Sequence, residues 1–186
     1  MIGAAGEIVL PRRAKHQPSP EVHKGGDCGA CSLGGALGIE VSDCYSRFDS
    51  EGITHIGEMA RCIRCAASCG LADRIIEEPA EWPSCQYFRA FGSPAVNESL
   101  AWFNYVRMAI DSGYYGLAEV DFNANGGPET NHWILIAGAR TDGAVTGKLL
   151  TGEVLTSCSV RGEKWVEARE FLSKMGGYNA LFVRPK

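Results

Sequence analysis

Between residues 28 and 113 the apolar positions recur at helical spacing, and after residue 116 they gather into short β-rich runs. A first helix is expected over Cys28–Leu37, opened by Asp27 as N-cap after Gly25-Gly26 and stopped at Gly38. Within Ile53–Leu71, Ile56, Met59, Ala60, Ile63 and Ala67 form one stripe, and Gly70 ends it. A short strand around Arg74–Ile76 then leads into irregular chain carrying Pro79, Pro83 and Pro94. Asn97-Glu98-Ser99-Leu100 opens a third helix, with Leu100, Phe103, Val106, Met108 and Ile110 as its apolar residues and Gly113 as its end.

Strands follow at Gly116–Phe122 and His132–Ala139, separated by the turn Asn125-Gly126-Gly127-Pro128. Lys148–Thr156 pairs back across Thr141-Asp142-Gly143. A helix at Trp165–Lys174, a Gly176-Gly177 stop and a strand at Ala180–Val183 complete the chain, and no internal repeat is visible. Early helices followed by a strand meander predict an α+β fold, with N-terminal helices packed on a C-terminal antiparallel sheet. The 186 residues suit one domain over 25–186. Residues 1–24, with Pro11, Pro18 and Pro20, read as an N-terminal arm. Ordering such a segment costs ~1–2 kcal/mol per residue, so docking on a partner protein is the expected source of any order.

Charge narrows the function. Eighteen basic against 22 acidic residues leave a net charge of −4 without a basic run, which excludes a nucleic-acid grip. No apolar run approaches the ~20 residues that span a bilayer. The N-terminus places Arg12 and Arg13 after its apolar residues, the reverse of a signal peptide, so a cytoplasmic protein or an assembly component is expected. Eight cysteines are then thiols, ligands or a nucleophile rather than a disulfide framework.

Cys28 falls in the first turn of a helix, where unpaired N–H groups and the macrodipole favour a thiolate. His132, opening a strand in Asn131-His132-Trp133, is the candidate proton partner. Asp27-Cys28-Gly29-Ala30-Cys31-Ser32-Leu33, followed by His132-Trp133-Ile134-Leu135-Ile136-Ala137-Gly138, resembles the papain-like cysteine peptidase superfamily. The likeness is greater to its bacteriocin-processing-peptidase-like branch, with the pattern D-C-G-x-x-S/C-L. Order and spacing agree over about Gly26 to Val183.

The resemblance implies a papain-like fold and a peptidase or amidase working through an acyl-enzyme on a peptide or amide substrate, with no cofactor required. It makes Cys28 the nucleophile and His132 the base. Papain-type proteases read C-G-[SA]-C-[WY] and use the second thiol, so Cys31 is the alternative, although Ser32 breaks that pattern. The family's oxyanion glutamine precedes the nucleophile by six residues, where this chain has Val22 (Gly25 if Cys31 reacts); the nearest glutamine is Gln17. For the third group Glu153 on the expected strand ranks ahead of Asp142 in the turn.

These departures raise a second reading, a papain-fold structural module of a larger assembly, such as a phage tail component, with little or no activity. A transglutaminase-like transferase also uses Cys, His and acid groups in this order, and Ala36-Leu37-Gly38-Ile39 resembles that family. Cys62, Cys65 and Cys69, at C-x-x-C-x-x-x-C spacing on one side of a helix, are candidate ligands for zinc or an iron–sulfur cluster. Cys85 heads the candidates for a fourth ligand, with Cys44 and His55 behind it; the competing reading is buried thiols.

Overall fold

The computed structural model describes residues 6–15, 27–48, 56–76, 96–121, 131–141 and 152–186. Its elements are β1 (Gly6–Val9), α1 (Cys28–Leu37), α2 (Val41–Phe48), α3 (Ile56–Ser68), β2 (Ala72–Ile76), α4 (Val96–Asp111), β3 (Tyr115–Asp121), β4 (Asn131–Thr141), β5 (Gly152–Cys158), β6 (Gly162–Glu167), α5 (Ala168–Lys174) and β7 (Met175–Pro185). The strands form one antiparallel sheet in the order β2-β7-β3-β4-β5-β6, with β1 paired to the second half of β4. Helices and antiparallel sheet make the fold α+β.

Alternation along the strands sends side chains into two cores. Leu117, Leu135 and Leu181 pack with α1, α2 and α3, whereas Ala118, Ile136 and Phe182 pack with α4 and α5 on the opposite face. The sheet is therefore covered on both sides. A register shift between Ile136 and Gly138 resets the alternation, so Ala137 joins the first core and Ala139 the second.

All ten residues of α1 are buried, which its Gly, Ala and Cys content makes possible by letting backbone approach closely. Gly38 ends it at φ 74°, donating its N–H to the Gly34 carbonyl, as the expected stop requires. Asp27 is not the side-chain cap. Its backbone is helical and its carboxylate instead accepts the Tyr45 hydroxyl from α2, an element the sequence pattern did not suggest.

The described part of the expected arm packs against the sheet and α1. β1 runs antiparallel to β4, Leu10 N–H donates to the Ala137 carbonyl at 2.8 Å, and Lys15 N–H donates to the Cys31 carbonyl at 2.9 Å. Residues 13–14 cross α1 so closely that a Cβ on Gly35 would stand 2.2 Å from the Arg13 carbonyl oxygen. Order over residues 6–15 comes with sheet pairing and close backbone contact.

Two boundaries and one buried stripe differ from expectation. Gly162–Glu167 is a strand rather than the start of a helix, because Val166 and Trp165 pair with Val154 and Leu155 of β5. Gly176 and Gly177 lie inside β7. Met108 is 69% exposed, and Trp102, Phe103, Val106 and Ile110 carry the buried stripe of α4. The turn at 125–128 lies outside the described residues.

Candidate active site

The first turn of α1 is fixed to the opening of β4 through one residue. Trp133 donates its backbone N–H to Cys28 Sγ at 3.5 Å, and its carbonyl accepts the Ser32 hydroxyl at 3.2 Å. Cys28 and Ser32 are one helical turn apart, so they grip both polar groups of the same peptide residue. The grip sets the Cys28 thiol against the residue next to His132, and accounts for Ser32 where papain-type proteases carry an aromatic residue.

Burial dominates the electrostatics. Cys28 and His132 are each 8% exposed. Desolvation raises the Cys28 thiol above its ordinary value, partly offset by N–H groups of Trp133, Gly29 and Cys28 itself, while Cys158 raises it further. The helix N-terminus acts in the expected direction but loses to burial. His132 is pushed down to about 4, first by burial and then by the positive Arg161. Both groups are therefore neutral at rest, a thiol at the start of α1 and an imidazole at the start of β4. Cys31 is fully buried and pushed up to about 12 by desolvation and the nearby Asp27.

The His132 ring meets a residue that sequence reasoning missed. Its Nε2 lies 3.2 Å from Cys158 Sγ, at the end of β5. Leu135 pairs with Ser157, so Cys158 falls opposite Ile134 and diagonally from His132 on the same face of the sheet. Backbone N–H groups of Val160 and Arg161, in the turn before β6, both donate to the same sulfur at 3.4 Å. A search confined to acidic partners passes over it; the only sequence signal is a cysteine ahead of a tight turn that ends at Gly162.

Glu153, the expected third group, is placed elsewhere. It pairs with Arg140, Nε to Oε2 at 2.6 Å, and Arg140 is its register partner. Arg140 lies eight positions along β4 from His132, roughly 26 Å at ~3.3 Å each. Asp142, Gln17 and Cys85 lie outside the described residues.

The helix cysteines differ in exposure. Cys62 is fully buried in the core, Cys65 is half-buried and Cys69 is exposed. Cys44 donates to the Ala30 carbonyl and is pushed up to about 12 by desolvation. Among the described residues, no group of three or more His, Cys, Asp or Glu side chains is placed to hold a metal ion.

Beside Cys158 a cavity of about 540 Å³ opens between the sheet and α5. Val120, Ile134, Val166 and Phe171 give it an apolar lining, and Arg161 and Lys164 are among its charged residues.

The chain can be laid over the peptidase domain of Streptococcus ComA, described as a bi-functional ABC transporter involved in a quorum sensing pathway. The TM-score is 0.52 at 13% identity, and the match covers 95% of this chain and 100% of that domain. The fold is that of a papain-like peptidase domain. No family model and no curated protein matches the sequence, so the likeness of this chain to known proteins is one of shape. Among the described residues, no helix of the domain is long and apolar enough to cross a membrane.

Proposed function

We propose that the chain is a cysteine peptidase in which Cys28 is the nucleophile and His132 the general base. The observation that carries this reading is the bond from Trp133 N–H to Cys28 Sγ, which sets the first thiol of α1 beside the histidine-bearing end of β4. The likeness in shape to a peptidase domain supports it, and makes a peptide the substrate class.

The neutral resting pair dictates the order of events. As Cys28 Sγ bonds to the carbonyl carbon, its proton passes to His132 and the carbonyl π electrons move onto oxygen. When the C–N bond breaks, His132 returns that proton to the leaving amine, and an acyl-cysteine remains. Water then adds by the same relay, with His132 taking its proton, and the acid leaves as the thiol is restored. N–H groups at the α1 N-terminus are the donors at hand for the oxyanion, a role for which Gln17 was the sequence candidate. Cys31 is too deeply buried to compete.

The test is cleavage of a peptide library by the purified chain. Cys28→Ala removes turnover on this reading, and Cys31→Ala leaves it within a few-fold. Unchanged cleavage in Cys28→Ala sinks the proposal. The second reading, a silent papain-fold module, is favoured by the engagement of Glu153 with Arg140 rather than with the histidine. It predicts no turnover of any peptide by the unmodified chain.

A further inference from the structure

We propose that Cys158 is a second reactive thiol of this chain, a modification site that takes a small carboxylate-bearing disulfide from the adjoining cavity and passes its own proton to His132. The site goes beyond the peptidase reading and does not depend on it, since it needs neither Cys28 nor a peptide.

Lone pairs fix the direction of the contact between the two residues. A neutral thiol carries one hydrogen and two lone pairs. Backbone N–H groups of Val160 and Arg161 both donate to Cys158 Sγ at 3.4 Å and occupy those lone pairs. The S–H is left to donate, and the acceptor within reach is His132 Nε2 at 3.2 Å. Burial and the charge of Arg161 push His132 down to about 4, so at neutral pH the ring is uncharged and has a lone pair to offer. Charge that develops on the sulfur as its proton leaves is met by the two N–H groups. Cys44, by contrast, spends its S–H on the Ala30 carbonyl, which is no base at neutral pH.

Access comes from the cavity of about 540 Å³ between the sheet and α5, whose wall includes Cys158. Val120, the register partner of His132, and Ile134 line it as well, so the pair stands at that wall. The lining carries three cations, Arg161, Lys164 and Lys174, against two carboxylates, Glu163 and Glu170. Both carboxylates are already engaged, Glu163 by Arg13 at 2.7 Å and Glu170 by Lys174 at 2.5 Å. An apolar lining with a cationic excess suits a small anion with an apolar body. In the step itself the S–H proton passes to His132 Nε2 as Sγ attacks one sulfur of the disulfide RS–SR. The bond from Sγ to that sulfur forms, the RS–SR bond breaks, and its electron pair leaves on the second RS, which takes the proton from His132 as RSH. Cys158 ends as a mixed disulfide whose R group occupies the cavity.

Peptide mapping of acid-quenched samples gives the rate at each of the eight cysteines when the full chain meets the anionic disulfide dithiobis(nitrobenzoate) at pH 7. Cys158 should react within about tenfold of its rate in the urea-unfolded chain, although it is only 8% exposed, whereas Cys44, at 1%, should be slowed at least about 10²-fold. His132→Gln should slow Cys158 by about 10²-fold and leave the exposed Cys69 unchanged. The cationic disulfide cystamine should react with Cys158 about tenfold more slowly than the anionic probe, once each is scaled to its rate on the unfolded chain. Protection of Cys158 equal to that of Cys44 overturns the proposal, and that comparison needs no variant. An undiminished rate in a folded His132→Gln chain overturns the role of the histidine, and equal scaled rates for the two probes overturn the anionic class.

Discussion

Lowering the pH should unfold this protein partly through a single histidine. In the unfolded chain His132 titrates near the ordinary ~6.5. In the fold, burial and the charge of Arg161 push it down to about 4. Between those values the unfolded state holds a proton that the folded state does not. Stability therefore rises with pH through that window, is fully present above about 6.5, and is lost as pH falls toward 4.

The gap of roughly 2.5 units, at about 1.4 kcal/mol each, sets a ceiling of about 3 kcal/mol, most of it spent between pH 7 and 4.5. At 8% exposure the ring has little solvent to screen it. Urea unfolding of the unmodified chain and of His132→Gln at pH 7 and 4.5 isolates the effect, since the carboxylates titrate in both. The unmodified chain should lose about 2–3 kcal/mol more than the variant across this interval. Equal losses within about 0.5 kcal/mol would refute the claim that the imidazole is buried and neutral.

Three further outcomes are expected. Alkylation of Cys28 by iodoacetamide should climb about tenfold per pH unit to pH 9, because its thiol is raised by burial; a plateau below pH 7 would reveal a preformed thiolate–imidazolium pair instead. Gly35→Ala should destabilise the fold by about 1–3 kcal/mol in urea or heat unfolding, since its Cβ would collide with the Arg13 carbonyl; a neutral effect would mean that residues 12–15 do not lie on α1. Glu153→Gln should leave peptide cleavage within about threefold and cost under about 1 kcal/mol of stability, because the Arg140 pair is partly exposed; a hundredfold loss of kcat would return Glu153 to the catalytic site.

Local chemistry explains what was legible beforehand. The bounds of α1 follow from a glycine break before it and Gly38 after it, and the openings of α4 and β4 follow from equally short signals. Cys28 at a helix start and His132 at a strand start are therefore features of the chain by itself. So is the α+β class, because helical and strand periods occupy different stretches.

What depended on the tertiary structure involves partners distant along the chain. The pairing of β1 with β4 joins residues more than 120 positions apart, and nothing within residues 6–15 announces it. Glu153 and Cys158 lie on the same strand, five residues apart, and only the β4–β5 register gives the first to Arg140 and the second to His132. The charge state of the site belongs to the fold as well. A helix N-terminus taken alone promises a thiolate, but the layers that close over Cys28 and His132 remove the water a charge would need, so both groups rest neutral.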